Sequence, residues 1–173
     1  HTVMIDSVSK RYSLCGARVG CIVSKNNALI ENILKFAHLR LSPPTYALMA
    51  SEAALDAPAS YLEEVIAEYG KRRGVLIQHL EKIPKVEVSH PMGAFYCIVK
   101  LPVADAEDFS KYLLTVFHDD NQTVMLAPAR GFYSTPGIGL NEVRIAFVLD
   151  SEKLIRAVSI LEKALTAYQK LVS

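Results

Sequence analysis

The chain has 173 residues, of which 51% are apolar and 21% charged, a globular composition for about one domain, or one and a half, that excludes intrinsic disorder. Lys and Arg total 19 against 18 Asp and Glu, a net charge of +1, which supplies no electrostatic attraction to nucleic acid or to an anionic membrane. No apolar run approaches the ~18 residues that span a bilayer, and the opening residues show no signal-peptide pattern. Three cysteines, Cys15, Cys21 and Cys97, stand without CxxC spacing. An odd, dispersed set argues against a disulfide framework or structural zinc and for a reducing, cytoplasmic setting. The chain opens on His1 rather than Met, which reads as a fragment or a processed product.

Thr2 to Asp6 is a short β-prone run. Ser7 to Gly20 is polar and contains two glycines, which predicts a loop. Val19 to Val23 reads as a buried strand closed by Ser24-Lys25-Asn26-Asn27. Leu29, Ile30, Ile33, Leu34 and Ala37 recur at helical spacing. Ser42-Pro43-Pro44 stops that helix, because proline disfavours helical geometry in the residue before it. A further helix is predicted over about 45–55. The longest periodic segment carries Leu62, Val65, Ile66, Tyr69, Leu76, Leu80 and Ile83 on one stripe and ends at Pro84. Gly70 and Gly74 each cost it about 1 kcal/mol relative to Ala.

The pattern then shortens. Val86-Glu87-Val88 and Ala94 to Lys100 are strand candidates about a turn at Pro91-Met92-Gly93. Asp105 is placed to cap a helix with Phe109, Tyr112, Leu113, Val116 and Phe117 on one face. Thr123 to Leu126 reads as a strand, residues 127–141 as a Gly- and Pro-rich loop, and Glu142 to Leu149 as a strand. Ser151 is placed to cap a final helix with Leu154, Val158, Leu161, Leu165 and Tyr168 in its stripe. The mixture of strands and helices predicts an α+β layer.

The densest polar constellation is Ser7-Val8-Ser9-Lys10-Arg11-Tyr12-Ser13-Leu14-Cys15-Gly16-Ala17-Arg18-Val19-Gly20. Ser7, Ser9 and Arg18 offer two hydroxyls and a planar guanidinium, the donors that suit a phosphate. Lys10 beside them is a nucleophile towards carbonyls, with which lysine amines form Schiff bases. On residue types alone, a solvated polar turn with surface charges is the alternative. A second candidate is Arg144: alternation puts Val143, Ile145, Phe147 and Leu149 on one strand face, leaving Arg144 with Glu142, Ala146 and Val148 on the other. An arginine beside small and apolar neighbours either faces a cleft or marks an edge strand. His38, His79, His90 and His118 show no metal-ligand spacing, and no metal site is expected.

Ser-x-Ser-Lys followed by Gly-x-Arg-x-Gly over Ser7–Gly20 resembles the lysine signature of class I/II pyridoxal-phosphate aminotransferases, the aspartate aminotransferase-like enzymes. Gly93-Ala94-Phe95-Tyr96 resembles the strand that opens the family's small domain. Asn141 to Phe147 resembles its late strand carrying the substrate-carboxylate arginine. The three segments follow the family's order, and the resemblance covers essentially the whole chain.

The resemblance implies an α/β fold, the C-terminal part of a fold type I pyridoxal-phosphate transferase. Residues 1–59 are then the end of the large cofactor-binding domain, 60–83 a long connecting helix and 84–173 a small α+β domain. It implies pyridoxal 5'-phosphate as cofactor and amino acids and 2-oxo acids as substrates. Lys10 would bind the cofactor covalently and move the substrate proton. Ser7, Ser9 and Arg18 would anchor the phosphate. Arg144 would clamp the substrate α-carboxylate. Arg40, just before Ser42-Pro43-Pro44, would meet a distal carboxylate, or else is a helix-terminal surface charge. Gly131-Phe132-Tyr133 with Pro136-Gly137 resembles a mobile small-domain loop. The family habit is a homodimer whose subunits share each site.

The family's chains are more than twice this length, and their cofactor-ring contacts precede the lysine. The 173-residue chain is therefore expected to be a fragment that does not transaminate alone. A lyase or synthase of the same fold, and a non-catalytic dimerisation module, are the other readings.

Overall fold

A computed structural model describes residues 2–172, which form two compact units that divide between residues 64 and 65, inside one helix. Each unit is built around its own sheet.

The first unit is organised on an antiparallel ribbon of β1 (Val3–Ser7) and β2 (Gly20–Ser24), in which Ser7 lies opposite Gly20. Between them run a one-turn helix α1 (Val8–Arg11) and a 3-10 turn at Cys15–Ala17. Helix α2 (Asn27–Arg40) starts where the Asn26 side chain accepts from the Leu29 amide at 3.1 Å, and it ends before Ser42-Pro43-Pro44, as proline chemistry requires. Helix α3 spans Thr45–Leu55. The first strand of the ribbon is no better covered than the second: Ile5 is 76% exposed, and Ile22 and Val23 are exposed as well. The expected burial of Val19–Val23 is thus not met, because a two-stranded ribbon has no further strand to pack against.

Helix α4 (Ala59–Leu80) crosses the division, and its last turns, through Leu76 and Leu80, belong to the core of the second unit. That unit holds a four-stranded antiparallel sheet of β3 (Glu87–Val88), β4 (Tyr96–Lys100), β5 (Ala127–Pro128) and β6 (Glu142–Ala146), in the order β3-β4-β6-β5. Cys97, Val99 and Val143 turn to one face, against Phe109 and Leu113 of α5 (Ala106–Thr115) and Leu154, Val158, Leu161 and Leu165 of α6 (Ser151–Val172). Asp105 caps α5 as expected, accepting from the Glu107 amide at 2.7 Å. The aromatic side of this core is Phe109, whose ring lies 5.2 Å from that of Tyr168.

Several local expectations change. The helix expected over 60–83 ends at Leu80, and the strand expected over Glu142–Leu149 ends at Ala146. Lys10 stands on α1 rather than in an irregular loop, because Ser7 caps a helical turn. Residues 123–126 join no ladder: β5 has only two rungs on β6, and Thr123 instead donates its hydroxyl to the Leu113 carbonyl at 2.6 Å. The last helix is capped by Asp150, which accepts from the Lys153 amide at 2.9 Å, so that Ser151 becomes the first helical residue. A carboxylate is the stronger acceptor there and also complements the helix dipole.

Burial pushes the Cys97 thiol up to about 11, which keeps it protonated and unreactive. Cys15 and Cys21 are exposed. At pH 8 a thiol reagent is expected to modify those two in the native protein and Cys97 only after denaturant is added. Equal reaction of all three under native conditions would contradict this packing.

Candidate functional site

In the first unit the candidate residues are set by the end of β1. Ser7 Oγ accepts from the Ser9 amide at 3.1 Å and lies 3.0 Å from the Val19 carbonyl oxygen and 2.8 Å from Ser9 Oγ. The carbonyl can only accept, so the Ser7 proton goes to it and the Ser9 hydroxyl donates to Ser7. Ser7 and Ser9 are therefore brought together. Lys10 follows on the same turn with its side chain exposed. Its neighbour Arg11 is paired with Asp6 at 2.7 Å.

Arg18 adopts a left-handed backbone, φ +57°, and its Nη1 donates to the Cys15 carbonyl at 2.9 Å, a bond within the loop rather than one to Ser7 or Ser9. At Ser13, also left-handed, the hydroxyl receives the Tyr61 hydroxyl of α4 at 3.3 Å. Gly20 is required opposite Ser7: a Cβ there would meet the Asp6 carbonyl oxygen at 2.8 Å. A hollow of about 260 Å³ beside this ribbon is lined by Ser7, Arg11, Tyr12, Gly20, Ser51 and Leu55, and Lys10 and Arg18 do not line it. Arg40 occupies the last turn of α2, exposed, where its charge complements the helix C-terminus.

In the second unit, Arg144 lies on β6 opposite Ile98 of β4 and Ala127 of β5. Pleating places it on the sheet face away from Val143 and the core, as its alternation predicts. Its guanidinium carbon lies 4.9 Å from the Tyr96 ring centroid and 4.6 Å from that of Phe132. Phe132 belongs to a 3-10 turn, Arg130–Phe132, just after β5. The next residue, Tyr133, donates its hydroxyl to Glu142 Oε2 at 2.6 Å. That bond holds the Tyr133 hydroxyl above the usual phenol range. Gly139, at φ +76°, lies under the Tyr133 ring, where a Cβ would come within 2.6 Å.

The contact of Tyr96 and Phe132 with Arg144 is the part of the site that residue-by-residue reading missed. Alternation along Ala94–Lys100 puts Tyr96 and Ile98 on one face, and that was the available signal. The register that sets this face beside Arg144 is a property of the folded sheet.

The family described as aminotransferase class I and II matches residues 1–161, and the chain belongs to that family. It is 29% identical to an aspartate aminotransferase of Pyrococcus horikoshii, over 95% of this chain and 41% of that protein. It is 30% identical to a (5-formylfuran-3-yl)methyl phosphate transaminase of Methanocaldococcus jannaschii, over 88% of this chain and 39% of that protein. The chain thus spans about two fifths of the length of these relatives.

Among solved structures, the α-aminoadipate aminotransferase of Thermus thermophilus, in complex with N-(5'-phosphopyridoxyl)-L-leucine, superposes with a TM-score of 0.82 at 25% identity. That match covers 98% of this chain and 43% of the other. The alanine aminotransferase of Pyrococcus furiosus gives 0.78 at 29% identity, over 95% of this chain and 42% of the other. The mixed helix-and-sheet fold is that of the pyridoxal-phosphate-dependent aminotransferases.

Proposed function

We propose that the protein carrying this chain transfers an amino group between an amino acid and a 2-oxo acid, with pyridoxal 5'-phosphate as cofactor. The observation that carries the reading is the Ser7–Gly20 signature on a chain matched by the aminotransferase family over residues 1–161. The donor set also fits the cofactor: two hydroxyls 2.8 Å apart, an amine and a guanidinium within twelve residues suit a phosphorylated aldehyde. When bound, the cofactor's ring supplies the electron sink that stabilises negative charge on the substrate Cα.

The chain's own residues have the following roles in this reading. Ser7, Ser9 and Arg18 hold the phosphate, with Arg18 exchanging its bond to the Cys15 carbonyl for one to the ligand. Lys10 would hold the cofactor through its amine and, once freed by the incoming substrate amine, would carry the substrate Cα proton as base and then acid. Arg144 takes the α-carboxylate through paired N–H donors. Arg40 meets a distal carboxylate. Residues 1–59 belong to the large domain, 60–83 to the connecting helix and 84–173 to the small domain.

The 173-residue chain by itself does not turn over substrate. It spans about two fifths of its relatives, and its β1–β2 ribbon leaves Val3, Met4, Ile5, Ile22 and Val23 exposed. Exposed apolar surface of this kind is covered by further protein in a working enzyme. A homodimer is the assembly we propose, on the family habit, and the cytoplasm the location, on three unpaired cysteines.

Product analysis tests the reading. The protein with its cofactor, given an amino acid and 2-oxoglutarate, is expected to yield glutamate and the matching 2-oxo acid in equal amounts. Release of ammonia with pyruvate, and no glutamate, would replace amino transfer with lyase chemistry. Turnover by the isolated 173-residue chain at the rate of a whole enzyme would overturn its proposed inactivity.

A further inference from the structure

Arg144 is held without spending any of its hydrogen-bond donors. Among the described residues it has no carboxylate within ion-pair distance and no hydrogen bond; its guanidinium instead lies against the rings of Tyr96 and Phe132. The two rings come from opposite sides. Tyr96 is on β4 and Phe132 follows β5, and these strands flank β6 in the sheet. Ring faces attract a guanidinium through its plane and leave the N–H edge open. A carboxylate partner would fix the side chain too, but it would occupy the fork.

One carboxylate does stand close by in sequence. Glu142 is two residues from Arg144 on the same strand face. Its Oε2 is taken by the Tyr133 hydroxyl at 2.6 Å. Tyr133 sits on Gly139, where only a residue without Cβ leaves room for the ring. One short turn therefore delivers both Phe132 to the arginine and Tyr133 to the competing acid.

We propose that Tyr96, Phe132 and Tyr133 are positioning residues for carboxylate binding: the first two hold the Arg144 guanidinium by its face, and the third keeps Glu142 from pairing with it. This rests on the reading of Arg144 as the substrate-carboxylate residue. All three aromatics are exposed, so their replacement leaves the core intact.

The experiment uses the whole protein with its cofactor and two readouts. One is KM against kcat for an amino-acid substrate; the other is calorimetric affinity for glutarate, a carboxylate that cannot react. Phe132→Leu and Tyr96→Leu are each expected to raise KM and weaken glutarate roughly 2–30-fold, the range of a cation–π contact. Uniform loss of binding leaves kcat within about twofold. Phe132→Tyr and Tyr96→Phe restore both readouts, since an aromatic face is what is needed. Tyr133→Phe raises KM and weakens glutarate in the same way, and adding Glu142→Gln reverses it.

Unchanged glutarate affinity in both leucine variants, with Arg144→Lys strongly weakened, would overturn the proposal and leave the role of Arg144 standing. Failure of Glu142→Gln to reverse Tyr133→Phe would likewise overturn the part assigned to Tyr133. Unchanged affinity in Arg144→Lys itself would instead overturn the reading on which the proposal rests.

Discussion

Lys10→Ala in the cofactor-loaded protein is expected to lower amino transfer by roughly 10²–10⁴-fold or more, the range over which a positioned acid–base group contributes. The visible absorbance of lysine-linked cofactor should vanish with it. The size of the effect follows from the two tasks given to one amine, covalent attachment and proton transfer, neither of which a methyl group performs. Arg11→Ala is the control. Arg11 is the next residue on α1 and is also cationic, but it is paired with Asp6 at 2.7 Å and has no proposed role. Its loss is expected to change kcat by less than about threefold, within the worth of an exposed ion pair. Lys10→Ala activity within tenfold of the parent would remove the lysine from the chemistry, whatever the family match.

The largest effect on stability is expected at Phe109. Its side chain is 0% exposed and packs in the core of the second unit with Tyr112 and Tyr168. Phe109→Ala removes a ring from a site walled by a sheet on one side and α6 on the other, which cannot collapse fully. The expected cost is about 3–5 kcal/mol, a large share of the ~5–15 kcal/mol that holds a domain together. Urea unfolding followed by circular dichroism reads it as a lower midpoint with little change in slope. Met92→Ala is the comparison, because Met92 is 93% exposed and its change is expected within about 0.5 kcal/mol. A Phe109→Ala cost below about 1 kcal/mol would mean that the core is not organised on this ring.

Local chemistry is where sequence reading succeeded. The helix over 45–55 is found as α3 because Pro44 precedes it, and Asp105 caps α5 because a carboxylate at that place satisfies two orphan amides. The alternation that put Arg144 on the face opposite Val143 needs only the strand period of two. The family was legible for a related reason. Ser7 to Gly20 is a contiguous run, so its spacing survives in one dimension. The roles given to Ser7, Ser9, Lys10, Arg18, Arg40 and Arg144 remain those of the resemblance and stand as proposals.

Reading failed where the outcome depended on partners distant in the chain. Val19–Val23 has the composition of a buried strand, yet Val19 is half-buried and residues 20–23 are exposed, because burial is decided by what packs on a ribbon and not by the ribbon. Thr123–Leu126 has β-prone residues but no ladder, since β6 offers β5 only two rungs. At the last helix the cap expected at Ser151 falls instead on Asp150, whose carboxylate accepts from the Lys153 amide.

The sequence by itself therefore determined the family, the stop of α2 before Pro43-Pro44 and the face on which Arg144 stands, all properties carried by neighbours along the chain. The tertiary structure alone decided that Tyr96 and Phe132 close on that arginine and that Tyr133 takes Glu142. Those contacts need the β4–β6 and β5–β6 registers. Register is a balance of cross-strand packing and turn geometry summed over the whole sheet, and no single segment contains it.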